Sequence, residues 1–155
     1  MTQAMSVVHT PITGHEDFPT DAPLAAVSRF YRALNERDLA LMELNWASGD
    51  DVVMANPLGG VTRGWSGIRA VYERLFAGDA AVAVEFYDYT VHAASEIVYV
   101  VGKERGRFVR NDNAVDLAIR TTRVFQRIGG EWRQVHHHGS IDDAPLLAKY
   151  QDAAR

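Results

Sequence analysis

The sequence predicts an α+β fold: three N-terminal helices, a long antiparallel sheet, and a short C-terminal helix. Three observations carry this. Apolar residues recur at helical spacing only in the first half of the chain, as in Leu24, Val27, Phe30, Tyr31 and Leu34. Runs rich in β-branched and aromatic residues then fill 82–141, punctuated by Asn111-Asp112-Asn113 and Gly129-Gly130. Helices and strands are segregated along the chain, which is the α+β pattern and not the alternation of βαβ units.

The elements follow in order. Residues 1–20, with Pro11, Gly14 and Pro19, read as a flexible N-terminal arm, and 21–155 as one domain. The first helix starts near Asp21 and Pro23 and closes at the polar run Asn35-Glu36-Arg37-Asp38. Asp38 is placed to cap a second helix carrying Leu39, Met42 and Trp46 on one face, stopped by Ser48-Gly49-Asp50-Asp51. Residues 51–55 read as a short strand, Asn56-Pro57-Leu58-Gly59-Gly60 as a turn, and 61–65 as a second short strand. Ser66 is expected to cap a third helix with the stripe Ile68, Val71, Tyr72, Leu75 and Phe76, ended by Gly78. Four long strands follow, over 82–92, 96–107, 114–128 and 131–141, and a last helix over 146–153. A long sheet with helices on one face leaves a pocket between them if it curls.

Bulk composition bounds the function. A length of 155 residues suits one core. The net charge of −4 and scattered arginines argue against nucleic-acid binding. The chain has no cysteine, which excludes disulfides and thiolate chemistry and fits a cytoplasmic setting. No apolar run has the length of a membrane span, and the N-terminal residues lack the basic start and apolar block of a signal peptide.

The last hairpin carries a specific pattern: Thr122-Arg123-Val124-Phe125, the Gly129-Gly130 turn, Trp132, then Val135-His136, His138 and Ser140. It resembles the closing hairpin of the calcium/calmodulin-dependent kinase II association (hub) domain, a subgroup of the SnoaL-like proteins in the nuclear transport factor 2-like superfamily. The helix pair, the Asn56-Pro57 turn and Gly64-Trp65 before a helix are similar to that superfamily as well, and the likeness runs over roughly residues 22–141. It implies a cone: a strongly curved antiparallel sheet wrapped around three helices, with a pocket on the concave face. Members include isomerases, cyclases and dehydratases as well as proteins that only bind ligands. The resemblance also implies that Arg123 and Lys103 fall at basic pocket positions that receive small carboxylates. Gly139 stands where some hubs carry a further arginine.

From the residues themselves, Arg123 lies mid-strand among apolar neighbours and needs partners. It reads either as a structural ion pair with Glu85, Asp88 or Glu104, or as an anion clamp for a ligand. Of His136, His137 and His138, alternation puts the outer two on one face and His137 on the other. A two-residue Gly129-Gly130 turn pairs Arg123 with His136. A three-residue turn with a bulge pairs it with Val135 and brings His137 to its side, which the spacing slightly favours. Trp46, Met54, Trp65, Tyr72 and Phe86 are candidate pocket walls. His137, Asp88 and Tyr89 are candidate catalytic groups. No cofactor is indicated, and no carboxylate–histidine motif at fixed spacing supports a metal.

Two functions compete. One is a small-molecule-binding protein whose pocket is anchored by Arg123 and takes a carboxylate or carbonyl ligand. The other is a small enzyme of isomerase, cyclase or dehydratase type, acting on an enolisable carbonyl compound by His or Asp acid–base catalysis. Either way a sheet with two apolar faces needs cover on both, which predicts a homodimer through the outer sheet face.

Overall fold

The fold comes from a computed structural model that describes residues 6–155. Helix α1 (Pro23–Asn35) begins with proline in its first turn and buries Val27, Phe30 and Tyr31. Helix α2 (Leu39–Asn45) is capped by Asp38, whose carboxylate accepts from the Leu41 N–H at 2.9 Å. Strands β1 (Val53–Ala55) and β2 (Thr62–Arg63) form a short hairpin leading into α3 (Trp65–Ala77). Ser66 does not cap α3. The cap position is Gly64, whose φ of 80° swings the chain straight from β2 into the helix. Its N–H donates to the Val52 carbonyl, so backbone contacts replace the expected side-chain cap.

Strands β3 (Ala81–Ala93), β4 (Ile97–Arg110), β5 (Asn113–Ile128) and β6 (Glu131–Ser140) form an antiparallel meander, and α4 (Ala144–Ala154) follows. The sheet order is β2-β1-β6-β5-β4-β3, with β1 parallel to β6. Register shifts in β3 and β6 are bulges, which bend a sheet and raise its local twist. At Gly106 β4 presses against β3: a Cβ there would meet the Ala83 carbonyl oxygen at 2.0 Å.

The segment 8–16 of the N-terminal arm is not loose. It runs along β3, an edge of the sheet, with Val8 donating to Tyr89 at 2.8 Å and Ile12 to Phe86 at 2.7 Å. Ile12 is buried, and the Glu16 carboxylate accepts from Thr13, Gly14 and Ser28. An edge strand left bare would expose its backbone groups, and the arm satisfies them. Residues 1–5, also assigned to the arm, lie outside the described residues.

The closing hairpin also differs from the favoured three-residue turn. Its turn is the two-residue Gly129-Gly130 form, both residues at positive φ, with Ile128 opposite Glu131. The extra residue enters higher up, at Val135, where the register shifts. Arg123 therefore pairs directly with His137, neither with His136 nor with Val135.

Candidate functional site

The concave side of the sheet, α1, α3 and α4 enclose a cavity of about 670 Å³. That is the size and character of a small-molecule site. Its walls are mainly apolar: Phe30 and Leu34 from α1, Met54 from β1, Leu75 from α3, Leu117 and Ile119 from β5. Its polar groups gather in two places. Glu104, Arg123 and His137 mark the closed end, while Arg74, Asp79, Arg110 and Arg155 stand at the rim.

Arg123 is fully buried and multiply held. Its Nη2 donates to Glu104 Oε2 at 3.0 Å, its Nη1 to Gln134 Oε1 at 2.8 Å, and its Nε to the Tyr31 hydroxyl at 3.2 Å. The guanidinium lies 3.5 Å over the Phe30 ring. Gln134 Nε2 donates on to Asn45, and Asn45 to the Ala26 carbonyl, tying the site to both first helices. Glu104 also accepts from Tyr31 at 2.6 Å and Thr121 at 2.8 Å. Burial pulls the Arg123 pKa down, but the Tyr31, Glu104 and Tyr72 oxygens more than offset it, so the net shift is upward. The closed end thus holds one cation and one anion in contact, with no net charge. Three of the five guanidinium N–H groups are used in these bonds, and the Tyr72 oxygen lies close enough to act on the same guanidinium.

His137 faces Arg123 across the β5–β6 ladder and is buried, yet neither ring nitrogen has a partner among the described residues. Burial, then the Arg123 charge, hold its pKa well below the usual histidine range. It is a neutral imidazole with one free donor and one free acceptor. The buried Trp46 Nε1–H points toward the Tyr72 hydroxyl. Burial raises the Tyr72 pKa to about 12, against the pull of Arg123, so this phenol also stays neutral. Buried polar groups are normally paired, so the His137 nitrogens are unmet hydrogen-bonding capacity on the cavity wall.

Of the residues singled out from sequence, Arg123, His137, Met54 and Tyr72 line the cavity together. Trp46, Trp65 and Phe86 stand behind the wall. Trp46 stacks on Trp65, and Phe86 stacks between Tyr31 and Tyr89. Lys103 is not at the site: alternation along β4 turns Glu104 inward and Lys103 outward, 3.9 Å from Asp88. Asp88, at φ 47° on the β3 bulge, binds His9 on the outer side, and Tyr89 is packed under the arm. Gln134, Tyr31, Asn45 and Tyr150 were not anticipated. A glutamine on the inward face of β6 was the one legible sign.

Residues 24–144 match the family model of the SnoaL-like domain. The F-box protein SKIP8 of Arabidopsis thaliana is 22% identical over 143 residues, covering 89% of this chain and 59% of that protein. The chain thus spans less than two thirds of this relative. A Thiobacillus denitrificans protein assigned as a calcium/calmodulin-dependent protein kinase type II association domain is 29% identical. It superposes with a TM-score of 0.62 over 81% of this chain and 98% of its own. A Streptomyces avermitilis protein assigned as a dehydratase of the NTF2-like family shares the fold at 20% identity, with a TM-score of 0.70 over 78% and 94% of the two chains. A ketosteroid isomerase-like protein from Erwinia carotovora atroseptica does so at 17%, with a TM-score of 0.65 over 78% and 94%.

Proposed function

The chain belongs to the SnoaL-like domain family of the nuclear transport factor 2-like superfamily, and on that premise we propose that residues 21–155 form one domain that binds a small, largely apolar molecule by an uncharged carbonyl or hydroxyl head. The single observation that carries this is His137, a buried neutral imidazole on the cavity wall with both nitrogens unpartnered. A carbonyl or hydroxyl accepts from the His137 ring N–H. A hydroxyl also donates to the free imidazole nitrogen.

A carboxylate head fits less well. Glu104 already neutralises Arg123, so a second carboxylate at the closed end would bring an unbalanced buried charge. Acid–base turnover is also the weaker reading. Glu104 is committed to Arg123, and His137 is held too weakly basic to draw a proton near neutral pH. The apolar outer-face residues Ile97, Tyr99 and Val101 support a homodimer through that face; light scattering coupled to size-exclusion chromatography tests it. Among the described residues, no helix is long and apolar enough to cross a membrane.

Thermal shift with a matched series of alkylbenzenes, bearing no head group, a ketone, a hydroxyl or a carboxylate, tests the ligand class. A compound at 100 times its dissociation constant adds about 2.7 kcal/mol. The ketone or hydroxyl members are expected to stabilise the wild type and to lose most of that effect in His137→Phe. Stabilisation by the carboxylate above all others would overturn this reading in favour of a charge-anchored site.

A further inference from the structure

The three consecutive histidines divide between the faces of β6. His137 lines the cavity, whereas His136 and His138 alternate onto the outer face, His136 half-buried and His138 exposed. We propose that His136 and His138 form a two-imidazole chelate for a divalent transition-metal ion, separate from the cavity and independent of the ligand reading above.

Three features argue for it. Residues two apart on a strand project side by side, and the two rings are centred 6.1 Å apart. An imidazole nitrogen lies about 1.1 Å from its ring centre, so rings sharing a metal at about 2.1 Å have centres at most about 6.4 Å apart. That limit is for a linear nitrogen–metal–nitrogen angle; at about 90–110° the centres would lie about 4.5–5.2 Å apart, so the rings must close by about 1 Å to share an ion. Second, His136 Nδ1 lies 2.8 Å from the Val53 carbonyl oxygen. A carbonyl only accepts, so Nδ1 carries the proton and Nε2 keeps its lone pair. A ring N–H given to a backbone carbonyl is the usual arrangement behind a metal-bound histidine, because it fixes both tautomer and ring direction. The parallel pairing of β1 with β6 sets this up, placing Val53 opposite His136. Third, His138 has no hydrogen-bond partner among the described residues, so its ring is free to turn to a shared ion.

Among the described residues no group of three His, Cys, Asp or Glu side chains gathers, so the remaining coordination positions fall to water or to another molecule. Imidazole with open positions suits Cu²⁺, Ni²⁺ and Zn²⁺, and Cu²⁺ binds tightest of the three.

The test is a calorimetric titration of tag-free protein with Cu²⁺ alone, followed by electron paramagnetic resonance. The proposal predicts nitrogen hyperfine coupling from two imidazoles. It predicts that the exposed substitution His138→Ala weakens binding about tenfold or more. His136→Ala should match it, and the double variant should bind no Cu²⁺ in this manner. Unchanged affinity in the double variant, or a spectrum without imidazole nitrogen, overturns the site.

Discussion

Glu104→Ala isolates the charged pair at the closed end of the cavity. The side chains of Arg123 and Glu104 are 2% and 5% exposed, and their contact is 3.0 Å long. Removing the carboxylate leaves the guanidinium buried with only neutral acceptors, and takes the acceptor from the Tyr31 and Thr121 hydroxyls. Breaking one side of such a pair costs about 3–5 kcal/mol. For a chain of this size about 2–4 °C of melting temperature accompanies each kcal/mol, so the loss is about 6–20 °C. Urea unfolding followed by circular dichroism measures the free energy, and calorimetry the midpoint. The double variant Glu104→Leu with Arg123→Met removes both charges and should regain more than about half of the loss. If Glu104→Ala costs under about 1 kcal/mol, or the double variant is no more stable than the single, the pair is not the desolvated unit described here.

Further perturbations reach other parts of the account. His137 has a folded pKa held below its unfolded value of about 6.5, so the unfolded chain takes up its proton first as pH falls. Its contribution is intact above about pH 6.5. Below that, stability falls by up to about 1.4 kcal/mol per pH unit until the folded-state pKa is reached. Denaturation at several pH values should show a steeper acid slope in the wild type than in His137→Phe. Gly106→Ala drives a methyl into the Ala83 carbonyl and should cost at the top of, or above, the roughly 1–3 kcal/mol of overpacking, read by urea unfolding. Asp38→Ala removes the cap on α2 and should cost about 1 kcal/mol in the same assay, with ligand binding unchanged.

The parts of the fold legible in the sequence are those where one local signal sufficed. Helical spacing in α1 and α3, the Asp38 cap, and the position of the Gly-Gly turn, though not its two-residue form, all depend on residues near one another. What escaped were features decided by distant partners. The Ser66 cap lost to Gly64 because Gly64 bonds back to Val52 and Trp65 to Gly49, well upstream in the chain. His137 does join the side of Arg123, as the spacing favours, but through a bulge at Val135 that leaves no mark on the hairpin turn. Lys103 was one residue out of phase: a single step along a strand changes the face, and the neighbouring Glu104 holds the inward position. Gln134 and Tyr31 acquire meaning only once the buried Arg123 gives them something to bind.

The central claim is that His137 completes its hydrogen bonds with the uncharged head of a ligand. Ring-nitrogen NMR of the histidines, during titration with the stabilising ketone or hydroxyl compound, tests it most directly. The account predicts that the His137 ring resonances shift in step with binding, while those of His136 and His138 stay in place. Saturable binding that leaves the His137 ring unmoved would contradict it.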